Sequence, residues 1–202
     1  MQLGLIVALA IGMCAAQRAS AAGGSRAASA TGILPATRIV VFHPKGAAGA
    51  TVKGNCAMGG SLAVQRADAW RCIVGNAIYD PCFSAGAHAT SVICGATPTK
   101  PVGIRVSLPG PLPTHEHVAG SQAWILQLGD GTTCGFLTGA TFGIKGQRAN
   151  YGCANSRRDY VVGTPARGRV WYAVVAVLSA KPSPNGPTAE RIYALSVSRA
   201  WV

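Results

Sequence analysis

Residues 56–72 read CAMGGSLAVQRADAWRC, and residues 134–153 read CGFLTGATFGIKGQRANYGC. Both stretches begin and end at a cysteine, and both contain a glycine followed by a small residue. Further on, both have Arg-Ala, then Asp68 or Asn150, and an aromatic residue two positions before the closing cysteine. The repetition predicts two similar cysteine-closed loops. The matched positions of Asp68 and Asn150 predict a structural hydrogen bond in each loop.

The cysteine content indicates a disulfide framework. The chain has 7 cysteines, of which Cys14 lies in an apolar leader. The remaining even number is typical of a protein of an oxidising compartment. If both repeats fold alike, the pairs are Cys56–Cys72 and Cys134–Cys153, which leaves Cys82–Cys94. Repetition is the only reason to prefer this pairing, and the other pairings stay open. None of these cysteines has zinc spacing, so we expect neither a metal nor a cofactor.

Residues 1–21 resemble a secretory signal peptide. An apolar segment runs from Leu3 to Cys14, and Ala19-Ser20-Ala21 matches a cleavage site. Met13 is a poor residue before a lipidated cysteine, which argues against a lipid anchor at Cys14. We therefore expect a secreted or cell-envelope-associated protein.

The remainder predicts a short linker followed by one domain. Residues 22–37 are rich in Ala, Gly and Ser without periodicity, which predicts a disordered linker. Residues 38–202 then form a single disulfide-stapled domain. Its apolar stretches are too short to cross a membrane as a helix, so we expect no transmembrane segment after signal cleavage.

The patterning predicts a mainly β fold, an antiparallel sandwich or small barrel stabilised by disulfides with little helix. The 26 glycines and 12 prolines favour short strands and many turns. The best helix candidate is Ser61 to Trp70, and Gly75-Asn76 and Asp80-Pro81 predict turns. Residues 170–178 are apolar on both faces, as in a central strand. Single strands are predicted over 37–42, 69–74, 91–94 and 102–108, and hairpins over 121–128 with 132–137 and over 170–178 with 190–202.

The charge suggests an anionic partner without specifying one. The chain has 18 Lys and Arg against 6 Asp and Glu, and removal of the leader takes away only Arg18 among these. Such a surface attracts anionic envelope polymers or other extracellular ligands. The basic residues are spread along the chain, however, which also fits a surface that only keeps the protein soluble. Nothing indicates specific binding of nucleic acid. The candidate ligand-binding residues are Trp124, Arg157, Arg158, Arg167 and Arg169.

The stretch Ser61–Phe83 resembles a motif of uncharacterised exported proteins of high-GC Gram-positive bacteria. In those proteins an SLA…R.DA.RC..GN.I.DPCF block precedes a Trp-containing strand, a DG..C turn and a Y.C element. Trp124, Asp130-Gly131, Cys134 and Tyr151-Gly152-Cys153 match the later parts. The resemblance implies no activity. Some of these proteins carry the region outside the membrane in a longer chain, which implies a sensor or binding module.

Candidate catalytic residues are few. His115, Glu116 and His117 could hold a metal, but alternate residues of an extended loop point to opposite sides, so the sequence favours a solvated polar loop. Asp80 and His88 could act as acid and base, although Asp80 more simply bonds backbone at its predicted turn. No GxSxG nucleophile turn is present. The aromatic residues could line a groove or form the core.

These observations favour an exported, non-catalytic binding or cell-envelope-associated module of unknown ligand. One alternative is a secreted hydrolase that uses carboxylate and histidine residues, and another is a structural or interaction protein without a small ligand. Candidate acid and base residues gathered in one cleft would favour the enzyme. A bare cleft beside a basic, aromatic face would favour binding, and a flat surface with no cleft would favour the structural protein.

Overall fold

A computed structural model describes residues 33–114, 122–154, 158–181, 183–184 and 186–202. Residues 1–32, including the predicted signal peptide and most of the predicted linker, lie outside the described residues, as do His115, Glu116, His117 and Arg157. Residues Leu34–Val202 form one compact unit.

The described chain is built of strands, as the patterning predicts, and no α-helix occurs within it. The first seven strands are β1 (Arg38–Val40), β2 (Gly46–Ala47), β3 (Val52–Lys53), β4 (Ala69–Val74), β5 (Ala77–Ser84), β6 (Ser91–Cys94) and β7 (Val102–Ser107). The remaining seven are β8 (Ile125–Leu128), β9 (Thr133–Phe136), β10 (Gly143–Ile144), β11 (Gln147–Cys153), β12 (Asp159–Ala166), β13 (Trp171–Leu178) and β14 (Ala189–Trp201).

Six antiparallel strands close into a barrel. Their order is β14-β13-β12-β11-β9-β8, and β14 also pairs with β8, so the sheet has no free edge along this circuit. β14 is long enough to pair with both neighbours. Its residues from Ala189 to Val197 pair with β13, and those from Val197 to Trp201 pair with β8. β1 pairs in parallel with Arg199–Trp201 of β14, beyond the residues that pair with β13 and on the edge opposite β8.

The second sheet has the order β2-β7-β6-β5-β4, and β3 also pairs with β7. Its central strands are antiparallel, whereas the short β2 and β3 run parallel to β7. A cluster of apolar side chains lies between this sheet and the barrel. In that cluster the rings of Phe42, Phe83 and Trp124 meet at centroid distances of 5.5 to 6.1 Å. This interface fixes the sheet against the barrel and forms one wall of the cleft described below.

All three predicted disulfides are present: Cys56–Cys72, Cys82–Cys94 and Cys134–Cys153. The last two join directly opposed residues of neighbouring antiparallel strands. The first two lie together in the core of the second sheet, where the sulfur atoms of Cys72, Cys82 and Cys94 are within 4.8 Å of one another. Disulfide-bonded cysteines thus make up much of the hydrophobic core of the second sheet.

Two predictions of local structure are wrong. Residues 61–68 form turns and not a helix, and Ala69 already belongs to β4. The Ser61 hydroxyl accepts from the N–H groups of Ala63 and Val64, and the Ser61 N–H donates to the carbonyl of Ala69, so the backbone is bonded in a non-helical path.

Asp80-Pro81 is not a turn but lies inside β5, with a cis peptide bond. Proline is tolerated there because the register with β4 shifts at this point: Asp80 and Pro81 together lie opposite Arg71, which makes a bulge in β5. A bulge relieves the requirement for a hydrogen bond at each residue of the ladder, and Pro81 has no N–H to donate.

The C-terminal hairpin is confirmed, but its outer face is less covered than predicted. β13 and β14 pair antiparallel, and β13 lies centrally between β12 and β14. Tyr172 and Val174 of β13 are nevertheless 44% and 43% exposed. Thr37, the last residue of the predicted linker, contacts the barrel: its hydroxyl donates to the Val197 carbonyl and accepts from the N–H of Trp171.

Tyr151 fills the interior of the barrel and is 1% exposed. Its hydroxyl donates to the Ala123 carbonyl at 2.6 Å, and its ring contacts Phe136 edge-on. Burial raises the pKa of the Tyr151 phenol, and the charge of Arg167 opposes this only in part. The phenol therefore stays protonated at a pH where an unfolded tyrosine ionises.

Tyr151→Phe should change how stability depends on alkaline pH. The unfolded tyrosine loses its proton near pH 10 and the folded one does not, so the contribution of Tyr151 is complete below pH ~10 and falls as the pH rises further. Above pH ~10 the free energy of unfolding of the unsubstituted protein should decrease as the pH rises. Its decrease per pH unit should exceed that of Tyr151→Phe by up to about 1.4 kcal/mol. Urea unfolding at several alkaline pH values measures this difference. Equal slopes would contradict it.

Peptide mapping of the unreduced protein should recover the three disulfides as separate cross-linked pairs, with a mass about 6 Da below that of the reduced chain. Free thiols at Cys82 or Cys94 in folded protein would contradict the structure.

Candidate functional site

Arg66 organises the junction of the two sheets. Its Nε and Nη2 donate to the two carboxylate oxygens of Asp68 at 2.9 and 2.5 Å. Its Nη1 donates to the carbonyls of Phe42 at 2.7 Å and Val202 at 3.1 Å. The guanidinium also lies 5.4 Å from the ring centre of Phe83. The charge of Arg66 is therefore matched by Asp68, and its donors are shared between segments that are distant in sequence.

The second repeat uses the same arrangement. Arg148 Nη1 donates to the side-chain oxygen of Asn150 at 2.7 Å, Nη2 donates to the Leu137 carbonyl, and the guanidinium lies over Phe136. The hydrogen bonds predicted for Asp68 and Asn150 are thus confirmed. Their partner is in each case the arginine two residues earlier, whose importance the sequence analysis missed. The repeated Arg-Ala-Asp and Arg-Ala-Asn triplets were the available signal.

A cleft of about 370 Å³ opens beside Arg66 in the second sheet. β5 and β6 provide its floor, and Arg105 reaches it from β7. The pairs Phe83↔Ile93 and Ile93↔Arg105 form one cross-strand row, and paired residues point to the same face of a sheet. The side chains of Phe83, Ile93 and Arg105 therefore lie in one row across the sheet, with Arg66 against Phe83 at one end and Arg105 at the other.

Hydrogen-bond donors converge on this cleft. His43, Ser84, Ser91 and Arg105 line it together with Asp68. Ser84 accepts from the indole N–H of Trp70 at 3.3 Å, so its hydroxyl proton remains available to a ligand. Asp68 is neutralised by Arg66. Among the described residues, Arg105 has no hydrogen bond or ion pair, and its guanidinium gives the cleft a positive charge.

The two catalytic candidates within the described residues, Asp80 and His88, do not share a site. The Asp80 carboxylate accepts from the Ser61 hydroxyl and from the Leu62 N–H at 3.1 Å, so it holds the first cysteine-closed loop. This is a structural bond to backbone, but to a distant loop and not within its own turn. His88 is exposed in the loop between β5 and β6 and does not line the cleft.

The ligand-binding candidates are also dispersed. Trp124 is 6% exposed in the interface cluster. Arg158 lies 3.5 Å from Glu190, Arg167 covers the ring of Trp171, and Arg169 donates to the Leu34 carbonyl. None of these four residues lines the cleft.

No protein-family model matches the chain, and no curated protein or solved structure matches it significantly. Within the described residues, no helix is long and apolar enough to cross a membrane.

Arg66→Gln should destabilise the protein far more than Arg148→Gln. The first substitution leaves Asp68 without its cation at a site where both side chains are largely buried (14% and 29% exposed), and should lower the free energy of unfolding by about 3 kcal/mol. Arg148 is exposed and its partner Asn150 is neutral, so the matched variant should lose less than about 1 kcal/mol. Urea unfolding with the disulfides intact compares the two. Equal losses would show that Arg66 is an ordinary surface arginine.

Proposed function

We propose that this protein is an exported binding module, associated with the cell envelope, which binds an anionic group of an extracellular ligand or envelope polymer. The observation that carries the proposal is the Arg105 guanidinium in a cleft, beside the His43 imidazole and two seryl hydroxyls. Carboxylate, phosphate and sulfate groups accept hydrogen bonds from donors of this kind, and the planar fork of an arginine fits two oxygen atoms at once.

The surroundings of the cleft support binding over catalysis. Hydrolysis by carboxylate and histidine requires an acid and a base on opposite sides of the reacting bond, or a nucleophile within hydrogen-bond reach of a base. The Ser61 hydroxyl instead donates to Asp80 and accepts from two backbone N–H groups. In the cleft, the carboxylate of Asp68 is engaged on both oxygens by Arg66.

The charge of the whole chain supports an anionic ligand. The formal net charge is +12. Between described residues the ion pairs are Arg66–Asp68 and Arg158–Glu190, so most basic side chains have no acidic neighbour. Their summed field draws polyanions to the surface, and the cleft then supplies a site at which one anionic group is bound directly.

Arg105→Gln should weaken binding of poly-glutamate or of inorganic polyphosphate, whichever of these polymers binds. A lost charge-assisted contact corresponds to about a tenfold loss of affinity. Lys181→Gln removes the same charge from an exposed position outside the cleft and is the matched control. Titration calorimetry at low and at physiological salt measures both, and binding should weaken as salt rises. Equal effects of the two substitutions, or no binding of either polymer, would refute the site.

Cleavage of the predicted signal peptide tests whether the protein is exported. Three disulfides are consistent with an extracellular protein. When the full chain is expressed in a Gram-positive host, we expect the extracellular material to begin at Ala22, after Ala19-Ser20-Ala21. N-terminal sequencing of culture supernatant and cell fractions measures this. Full-length, reduced protein confined to the cytosol would contradict export.

A further inference from the structure

The second sheet has an open edge beside the first half of β5. β6 pairs with β5 only over Cys82↔Cys94 to Ser84↔Val92, although β5 begins at Ala77. β6 ends at Cys94, and the chain turns away at Gly95, where φ is +71°. Among the described strands, none occupies the place that β6 would fill if it continued past Cys94.

This edge presents backbone groups of Ile78. On the neighbouring strand β4, the Ile73 N–H donates to the Asn55 carbonyl at 2.7 Å, and the Asn55 N–H donates to the Ile73 carbonyl at 2.9 Å. Ile73 is paired with Ile78, and in an antiparallel ladder such a pair exchanges no hydrogen bonds. The N–H and C=O of Ile78 therefore point away from β4 to the open edge, where no described strand receives them. An edge of this kind is a template for a further strand.

A groove of about 640 Å³ adjoins the open edge at Tyr79 of β5. Its lining includes Tyr79, Gly95, Lys100, Val102 and Ile104. Gly95 has no side chain to fill the space, and a Cβ built there would lie 3.6 Å from the Tyr79 ring. On the opposite face of β5, Ile78 is 52% exposed. An added strand would thus find apolar contacts on both of its faces, because successive side chains of a strand point to opposite sides.

The charge beside the groove selects the partner. Lys100 lines it, and Lys45 lies next to it because the Lys45 N–H donates to the Pro101 carbonyl. Both lysines are exposed, and neither has an ion pair among the described residues. The Asp80 carboxylate, in β5, already accepts hydrogen bonds from the Ser61 hydroxyl and the Leu62 N–H. An acidic partner is therefore favoured, whereas a second copy of this chain, with a net charge of +12, is repelled.

We propose that an extended, acidic peptide segment of another protein adds to β5 as a strand. Its backbone pairs with Ile78, an apolar side chain packs against Tyr79, and a carboxylate faces Lys100. Main-chain hydrogen bonds supply the affinity in this mode of recognition, and the side-chain pockets supply the specificity. This site is separate from the Arg105 cleft and does not depend on the function proposed for it.

The test uses a synthetic hexapeptide of four central valines with a glutamate at each end, which presents valine on both faces of the strand, added to the folded, oxidised protein. Binding should slow hydrogen exchange of the Ile78 amide and shift the NMR signals of Tyr79 and Lys100. The same peptide with its alternate backbone nitrogens methylated cannot donate to β5. At least one of the two methylation patterns should lose binding at least about tenfold. Equal binding of the unmodified and of both methylated peptides, or an unprotected Ile78 amide in the complex, would overturn the proposal.

Charge reversal tests the choice of partner. Lys100→Glu should weaken binding of the glutamate–valine peptide about fivefold, whereas Lys181→Glu, the same change at an exposed position outside the groove, should not. A lysine–valine peptide of equal length should bind native protein more weakly than the acidic one.

Two further outcomes would overturn the proposal. Loss of peptide binding in Arg105→Gln would place the peptide in the other cleft. A stable dimer in sedimentation that excludes the peptide would assign the edge to a second copy.

Discussion

The Arg66 guanidinium joins the two sheets of this domain. It connects the loop before β4 with the Phe42 carbonyl after β1 and the Val202 carbonyl after β14. A guanidinium that is largely removed from water needs acceptors for its donors and an opposite charge, and Asp68 supplies the charge. The Arg66 hydrogen bonds therefore act together with the aromatic cluster in holding the second sheet against the barrel. Since Arg66 is fully engaged, Arg105 is left as the cation of the cleft.

Local sequence patterns predicted the features that arise from nearby residues. The repeated cysteine loops gave the correct disulfide pairs, and the Asp130-Gly131 and Gly75-Asn76 signals lie in hairpin turns of the structure. β4 and β6 begin and end where the β-branched and aromatic residues predicted. Hairpins are formed by residues close in the chain, so their signals are contained in short windows.

Other features depend on distant partners and were not predictable in this way. β5 runs through Pro81, which local propensity treats as a turn, because Asp80 and Pro81 form a bulge in β5 opposite Arg71. The segment after Ser61 has helical composition, yet Asp80 and Ala69 hold it in another path. The cleft is assembled from His43, Asp68 and Arg105, and nothing in their local sequence marks them as neighbours.

The order of the strands has a consequence for biosynthesis. The second sheet is contained in residues 46–107, with both of its disulfides, and can form as soon as that part of the chain has emerged. The barrel cannot close until β14 is made, because β8 and β13 both need it as a partner. For that interval the nascent chain exposes unpaired barrel strands, which are prone to aggregate. A folding helper that acts during synthesis would have its greatest effect on the barrel.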